Sequence, residues 1–510
     1  MDERQHASYQ KKLYYLIGGL FVFKLILAFT LELGNDEAYY WLYNKKLYWN
    51  YFDHPPLVAV WTRLFTLGGL LPDTEGCLRI GSIVASSAAT FFMYKTVTAL
   101  HSPRAGFFAA CLYNASFYAG LTAGLYLMPD APQMVFWTFS MWMLARITIN
   151  EKNRGAWILF GLAAGLCIMS KVHGVFLWIG LGSYALFYRR NWLISPNIYL
   201  AALLTLAVAS PILAWNLEYD FATFKFHSKR VTIEETSLEF NFLKELLAQF
   251  YFNNPINFVL ACWGLTALWR RREMRLPALT IFNFCGLPLS GLLLLISFFR
   301  DTTLPHWSGP AFVALIPLCA IQLASVSQKR NFPVASKVAL GGFITVLLGW
   351  TAMVHYYPGT SGSDNREEFG NGDISLDLFG WTEAAGKFHQ LYQKEVSAGV
   401  VPPGTPLVCT YWWGAHVEYY FGRPFGIAML GLGPMKEVRH YLWMNARNSE
   451  VKFDTAYCIM PADENYALPG AFYRDIQLIT TFTIPRGGKP AHLFRVYRLT
   501  GYKGTWPRSR

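Results

Sequence analysis

The residues best suited to chemistry form two acidic blocks near the amino terminus. Asp36 and Glu37 stand side by side in the first block, and Asp53 and His54 stand side by side in the second. A carboxylate with a second carboxylate beside it can serve as a general base, because the neighbour shifts its pKa. The same two acids, which closely follow Gly34, can instead cap a helix and complement its dipole. The residues alone leave both functions open for Asp36 and Glu37.

Cationic side chains further along the chain are suited to binding phosphate. Arg230 and Arg300 are candidates because a guanidinium can hold a phosphate through two parallel hydrogen bonds. His306 stands close to Arg300 and is a third candidate. The alternative is that such cations anchor anionic lipid head groups, and this is the more natural interpretation for Lys225 and Lys229.

The composition places these residues in a membrane protein. Of 510 residues, 53% are hydrophobic and 15% are charged, whereas an average soluble domain has about 25% charged residues. The net charge of +12 does not indicate nucleic-acid binding, because the basic residues lie in short clusters between long apolar runs. Eleven runs approach the length of a membrane helix: Leu13–Leu33, Cys77–Leu100, Gly106–Leu127, Gln133–Ile149, Gly155–Met169, Gly174–Tyr188, Ile198–Trp215, Pro255–Trp269, Pro277–Phe298, Ser308–Ala324 and Val338–Tyr356.

The distribution of Lys and Arg predicts the topology. Basic residues collect in alternate connections, whereas the turn 128–132 has none and the turn 170–173 has one. The positive-inside rule then places the amino terminus in the cytoplasm, and an odd number of spans places residues 357–510 outside. We predict a transmembrane domain over 1–356, with outer loops 34–76 and 216–254, and an extracytoplasmic domain over 357–510.

The segment 357–510 has the pattern of a small α/β domain. Its Gly-rich start, Pro358–Gly372, predicts a linker or mobile loop. A helical period follows over Trp381–Glu395, and polar helices alternate with strand-like runs after it. Those runs are Pro406–Tyr411, Thr455–Met460, Ile476–Ile484 and His492–Leu499. Cys409 and Cys458 fall in this domain, where a disulfide is permitted but not required by their spacing.

Several blocks of the sequence resemble one family of membrane enzymes. The chain is similar to the phospholipid-carrier-dependent glycosyltransferases of the protein O-mannosyltransferase and lipid A aminoarabinose transferase type, within the C-type membrane glycosyltransferases. The resemblance covers about the first 310 residues, and the tail only in outline. It is carried by Asp36–Trp41, Asp53–Leu57, Met128–Pro132, Gly161–Gly165, Ser170–Lys171, Trp215–Asn216 and Pro305–Trp307.

The resemblance implies transfer of a sugar from a polyprenyl phosphate. Because phosphate is already a good leaving group, a base for the acceptor and cations for the phosphate suffice. Asp36 is then the expected base, with Glu37 positioning the acceptor or perturbing the pKa of Asp36. Asp130 matches the second acidic position of the family and orients substrate or a metal, or it only caps the next helix. The block with Asp53 and His54 is expected to contact substrate.

Lys171 is the strongest candidate for holding the phosphate. It lies in a turn between two short apolar runs, where an unpaired charge costs several kcal/mol if it is buried in hydrocarbon. A polyprenyl phosphate would supply an anionic partner at that depth. Snorkelling of the ammonium to the head groups is the alternative. A divalent metal such as Mg²⁺ or Mn²⁺ is compatible with the acids and histidines present, but no spacing identifies a metal site.

The sequence therefore predicts an inverting glycosyltransferase at the outer face of a bacterial inner membrane. Its partners would be a polyprenyl-phosphate sugar donor, a lipid or glycan acceptor such as lipid A or core saccharide, and membrane lipids, with no nucleic acid. The residues leave the sugar and the acceptor open. A transporter or lipid flippase is one alternative, because buried charges in polytopic chains often serve transport. A third possibility is a binding or ligase-like protein whose tail recognises surface polysaccharide while the membrane part only presents it. No internal inverted repeat of the kind common in transporters is visible in the sequence.

Overall fold

The protein forms two compact units in a computed structural model. The model describes residues 3–231, 241–271, 274–299, 304–327, 332–445, 453–464 and 467–504. The first unit comprises Met1–Ala28 and Leu47–Leu347, and the second comprises Phe29–Lys46 and Leu348–Arg510.

The first unit is helical. With the helix α2 of the second unit included, the helices in this part of the chain are α1 (Glu3–Thr30), α2 (Asn35–Lys45), α3 (Leu57–Phe65), α4 (Glu75–Leu100), α5 (Pro103–Ala115), α6 (Asp130–Ile149), α7 (Arg154–Ser170), α8 (Val175–Tyr188), α9 (Pro196–Glu218), α10 (Ala222–Val231), α11 (Phe242–Phe252), α12 (Pro255–Arg270), α13 (Pro277–Ser297), α14 (Gly309–Val326) and α15 (Val334–Tyr356). Ten of the eleven predicted apolar runs each overlap one helix of this series along most of their length. The run Gly106–Leu127 is divided, because α5 ends at Ala115 and a short π-helix follows at Tyr118–Thr122. The predicted polytopic helical fold is confirmed.

The helices differ in how well they suit a bilayer. Within the described part of the chain, six are long and apolar enough to cross a membrane by length and composition: α1, α4, α9, α13, α14 with the turn before it, and α15. Helices α7, α8 and α12 are apolar but shorter. A helix of 14 residues such as α8 spans only about 21 Å. The short helix α7 ends just before a turn, and α8 begins just after it. This turn carries Lys171.

The second unit contains a mixed sheet. Its strands are β1 (Leu407–Cys409), β2 (Met429–Gly431), β3 (Thr455–Pro461), β4 (Tyr473–Arg486) and β5 (Lys489–Tyr502), in the order β2-β1-β3-β5-β4. Strand β1 is parallel to β2 and β3, whereas β5 is antiparallel to β3 and β4. The helices of this unit are α2, α16 (Trp381–Ser397), α17 (Gly414–Val417), α18 (Met435–Val438) and α19 (Tyr441–Asn445). The predicted α/β fold is confirmed.

Three details of the second unit either differ from the prediction or answer a question that the sequence left open. The short strand β2 was not predicted, because three residues are too few to show an alternation. The stretch Pro358–Gly372 is a loop closed by backbone hydrogen bonds: the N–H of Ser363 donates to the oxygen of Asn371, and the N–H of Gly370 donates to the oxygen of Ser363. Cys409 and Cys458 are both buried free thiols.

A buried ion pair fixes the start of this unit. Arg486 and Asp373 are both fully buried, and Nη2 of the arginine lies 2.9 Å from Oδ2 of the aspartate. The guanidinium also donates to the backbone oxygens of Gly359 and Val354 and to the hydroxyl of Ser375. Because most of its donors are satisfied, this buried charge is tolerated.

Candidate active site

A buried ion pair lies at one end of the helix pair α6–α7 in the first unit. The two helices are joined by a short turn and run antiparallel, so the first residue of α6, Asp130, meets the residue after α7, Lys171. The Lys171 Nζ lies 2.9 Å from both carboxylate oxygens of Asp130. Asp130 is 0% exposed and Lys171 is 4% exposed. Asp130 therefore does more than cap a helix, and the Lys171 ammonium does not snorkel.

A tyrosine completes this cluster. The hydroxyl of Tyr118 donates to Oδ1 of Asp130 at 2.9 Å. The ring of Tyr118 packs against Gly309 at the start of α14, where a Cβ would stand 2.2 Å from the ring. Two of the three N–H donors of Lys171 go to Asp130, and the third has no acceptor among the described residues. The third N–H of Lys171 can therefore donate to one further anionic oxygen while the ion pair with Asp130 is kept.

Two predicted histidines lie within electrostatic range of the ion pair. Asp130 influences the titration of His54, and His306 influences the titration of Asp130, so the fold brings these predicted residues together. Burial, together with the charges of Lys171 and His227, lowers the pKa of His54 to about 3 against the opposing charge of Asp53. His54 is therefore neutral at pH 7. A neutral imidazole has one N–H that can donate to a phosphate oxygen and one nitrogen that can accept a hydrogen bond from a sugar hydroxyl.

Contacts from α10 hold the loop that carries Asp53 and His54. The ring Nε2 of His227 lies 2.8 Å from the backbone oxygen of Asp53. The amide of Asn50 donates to the Thr223 hydroxyl at 2.9 Å. Asp53 is buried at 3% exposure. The second acidic block is therefore packed into the first unit and tied to α10, the helix that follows α9.

The first acidic block forms the start of α2 in the second unit. Glu37 is 2% exposed, and its Oε2 accepts a hydrogen bond from the backbone N–H of Gly34 at 3.0 Å. This is the reciprocal half of a capping box. Asp36, by contrast, is exposed. The two neighbouring acids thus have different surroundings: Glu37 secures the helix, and Asp36 is accessible.

Asp377 is a third acid at this helix start, and sequence reasoning missed it. Its Oδ1 accepts a hydrogen bond from the backbone N–H of Asn35 at 2.9 Å. Its Oδ2 would lie 2.7 Å from a Cβ at position 34, so the glycine there makes room for the carboxylate. Burial and the charges of Asp36 and Glu37, among others, raise the pKa of Asp377 to about 7. The start of α2 therefore carries three carboxyl groups, of which one titrates near neutral pH.

Two of the predicted site residues cannot be placed relative to the cluster. Arg300 lies outside the described residues, and the side chain of Arg230, on α10, does too. Tyr118 had no signal in the sequence that tied it to Asp130, and 342 residues separate Asp377 from its partner Asn35. Within the described ranges, no group of three or more His, Cys, Asp or Glu side chains is arranged to hold a metal ion.

Part of this chain is similar in sequence to known glycosyltransferases. Residues 53–215 match the family of dolichyl-phosphate-mannose-protein mannosyltransferases. The lipid A galacturonosyltransferase RgtD of Rhizobium johnstonii is 24% identical over 242 residues, which cover 47% of this chain and 50% of RgtD. The undecaprenyl phosphate-alpha-4-amino-4-deoxy-L-arabinose arabinosyl transferase of Yersinia enterocolitica is 29% identical over 135 residues, which cover 26% of this chain and 24% of that protein. The matched part of the chain thus spans half or less of each relative.

Solved structures extend the similarity to the whole fold. The crystal structure of ArnT from Cupriavidus metallidurans bound to undecaprenyl phosphate has a TM-score of 0.59 at 15% identity, covering 95% of this chain and 97% of that one. The apo structure of the same protein has a TM-score of 0.58 at 15% identity, covering 96% and 98%. The predicted resemblance to these membrane glycosyltransferases is therefore confirmed, and the chain has the fold of ArnT.

Proposed function

We propose that this protein transfers a sugar from a polyprenyl-phosphate donor to a lipid or glycan of the bacterial envelope, such as lipid A. The observation that carries the proposal is the buried cluster of Asp130, Lys171 and Tyr118 with one ammonium donor to spare. Three similarities support this choice: to a lipid A galacturonosyltransferase, to a transferase named for an undecaprenyl-phosphate-linked sugar, and to the fold of a protein solved with undecaprenyl phosphate. The fold is that of a multi-pass membrane protein.

The phosphate of the donor would be held by the third N–H of Lys171. Asp130 keeps the ammonium charged and aimed, because it binds the other two donors. His54 and His306, which lie close enough for their charges to couple with Asp130, would add hydrogen bonds to phosphate or sugar oxygens. Asp53 would shape the same loop. Arg230 and Arg300 remain proposed phosphate ligands on their residue type alone.

Asp36 would act as the general base. The acceptor hydroxyl attacks the anomeric carbon, the bond from that carbon to the phosphate oxygen breaks, and the hydroxyl proton passes to the Asp36 carboxylate. The polyprenyl phosphate leaves with the bonding electron pair, and the single displacement inverts the anomeric centre. Exposure of Asp36 makes the proton transfer possible, and the capping bond from Gly34 to Glu37 keeps the helix start rigid.

The topology is part of the proposal. We infer that the amino terminus is cytoplasmic, that residues 1–356 form the transmembrane domain with outer loops 34–76 and 216–254, and that residues 357–510 lie in the periplasm. The positive-inside rule supports this orientation. A reporter enzyme fused after Arg510 should be active only outside the cytoplasm.

Mass spectrometry of envelope lipids tests the proposed reaction. We expect a glycosylated lipid in cells that produce the wild-type protein, and none in cells that produce Asp36→Asn at equal abundance. The mass increment identifies the sugar class. Identical lipid profiles in cells with and without the wild-type protein would contradict the proposal.

A further inference from the structure

A cavity of about 670 Å³ lies in the second unit, at the carboxyl ends of its parallel strands. Thr410 follows β1, Gly433 follows β2, and Asp463 follows β3, and all three line the cavity. In open α/β sheets, ligands bind in the crevice beyond the carboxyl ends of the strands. The volume is within the range of about 300–1,000 Å³ that small-molecule sites have.

The lining combines aromatic rings with carboxyl groups. Tyr411, Trp413 and Phe472 contribute half-buried rings, and the rings of Tyr411 and Trp413 meet edge to face at 5.3 Å. Glu437 and Glu464 contribute carboxyl groups to the same cavity. A pyranose presents an apolar C–H face and a rim of hydroxyls. The rings can stack on the former and the carboxyls can bond to the latter.

The lining of the cavity disfavours an anionic ligand. Asp463 is paired with His492, whose Nε2 lies 3.0 Å from its Oδ1. Burial raises the pKa of Glu464 to about 9, so this carboxyl is protonated at pH 7 and can donate a hydrogen bond. Among the described residues that line the cavity, none is Lys or Arg. A phosphorylated or acidic sugar would find no cation there.

We propose that this cavity is a binding site for uncharged saccharide units, separate from the cluster around Lys171. Sugar rings would stack against Trp413 and accept a hydrogen bond from Glu464. The ligand can be part of an acceptor glycan or a free oligosaccharide, and both present the same hydroxylated ring. This inference does not depend on the proposed transfer reaction.

Binding by the full-length protein in lipid nanodiscs tests the proposal. Nanodiscs are required because detergents with maltose head groups would compete. Saturation-transfer difference NMR would measure the dissociation constants of maltose, lactose and N,N′-diacetylchitobiose, with glucose 1-phosphate as the charged counter-probe. We expect saturable binding of at least one neutral disaccharide and weaker binding of glucose 1-phosphate.

Variants separate a binding role from a structural one. Glu464→Ala and Trp413→Leu should each weaken binding by about tenfold, whereas Glu464→Gln, which can still donate, should keep it. Glu367→Ala, which removes an exposed acid of the same unit, is the matched control and should bind like the wild type. If Trp413→Leu unfolds, the Glu464 pair decides.

The outcomes are distinct. Saturable binding that falls in Glu464→Ala but not in Glu464→Gln supports the site. Wild-type protein that binds none of the neutral disaccharides, that binds glucose 1-phosphate more tightly, or that binds equally well in Glu464→Ala would overturn it. Competition by purified envelope glycan, compared with free disaccharide, tells the two sources of the ligand apart.

Discussion

Replacing Lys171 by methionine should damage the protein in two separable ways. The substitution keeps the length of the side chain and removes the ammonium. Asp130, which is fully buried, would then keep only the hydrogen bond from Tyr118 among its side-chain partners described above. Breaking a buried ion pair by removing one partner costs about 3–5 kcal/mol of unfolding free energy. We therefore expect Lys171→Met to be clearly less stable than the wild type.

The double variant separates stability from binding. In Lys171→Met/Asp130→Asn no charge remains, and the Asn oxygen can still accept from Tyr118. Most of the lost unfolding free energy should return, because replacing both partners of a buried pair is often neutral. Binding of polyprenyl phosphate should not return. A charged hydrogen bond contributes about 1.5–3 kcal/mol, so the dissociation constant should rise by about 10- to 150-fold.

Two measurements on each variant suffice. Thermal unfolding in detergent reports stability, and native mass spectrometry of bound undecaprenyl phosphate reports affinity. Lys152→Met, which removes an exposed lysine, is the matched control and should resemble the wild type in both. If the double variant binds undecaprenyl phosphate as tightly as the wild type, Lys171 serves only to neutralise Asp130, and the phosphate-binding role is refuted.

Three further perturbations follow from the second unit. Gly34→Ala would place a Cβ 2.7 Å from Oδ2 of Asp377, which must displace the start of α2. This displacement should lower turnover by about tenfold or more while the protein stays at normal abundance. Unchanged turnover would contradict this prediction. Because the pKa of Asp377 is raised to about 7, above the ordinary value near 3.9, its contribution to stability is present below about pH 4 and lost as the pH rises through 7. Asp377→Asn should flatten this part of the stability profile, and an unchanged profile would argue against the shifted pKa. Arg486→Met should cost about 3–5 kcal/mol, measured by denaturant titration, because Asp373 stays buried and charged; a loss below 1 kcal/mol would show that water reaches the pair.

The sequence was most informative where a physical rule acts over a short range. Helices in a membrane protein are encoded by runs of apolar residues, so a helix could be predicted in each of the eleven runs, although only six of the described helices are long and apolar enough to cross a membrane. Because α6 and α7 form a hairpin, Asp130 and Lys171 could be placed on the same side of the membrane. Their direct pairing could not be predicted, because the same two residues at these positions could form an ion pair or could bind substrate separately.

Contacts between distant segments were not visible. Asp377 lies in a short 3₁₀ helix, Ile374–Leu378, with no motif, and only the folded chain brings it to the start of α2. The roles of Asp36 and Glu37 also required side-chain positions, because a capping acid and a catalytic acid are equally compatible with neighbouring residues. The structure gives the capping bond to Glu37 and leaves Asp36 exposed.

The central proposal is that this chain transfers a sugar from polyprenyl phosphate, with Asp36 as base. The most direct measurement is the release of undecaprenyl phosphate by purified protein in nanodiscs that contain lipid A, given a panel of undecaprenyl-phosphate-linked sugars. We predict that one donor yields undecaprenyl phosphate and glycosylated lipid A in equal amounts with the wild type, and neither product with Asp36→Asn. Equal yields from the wild type and from Asp36→Asn would contradict the account.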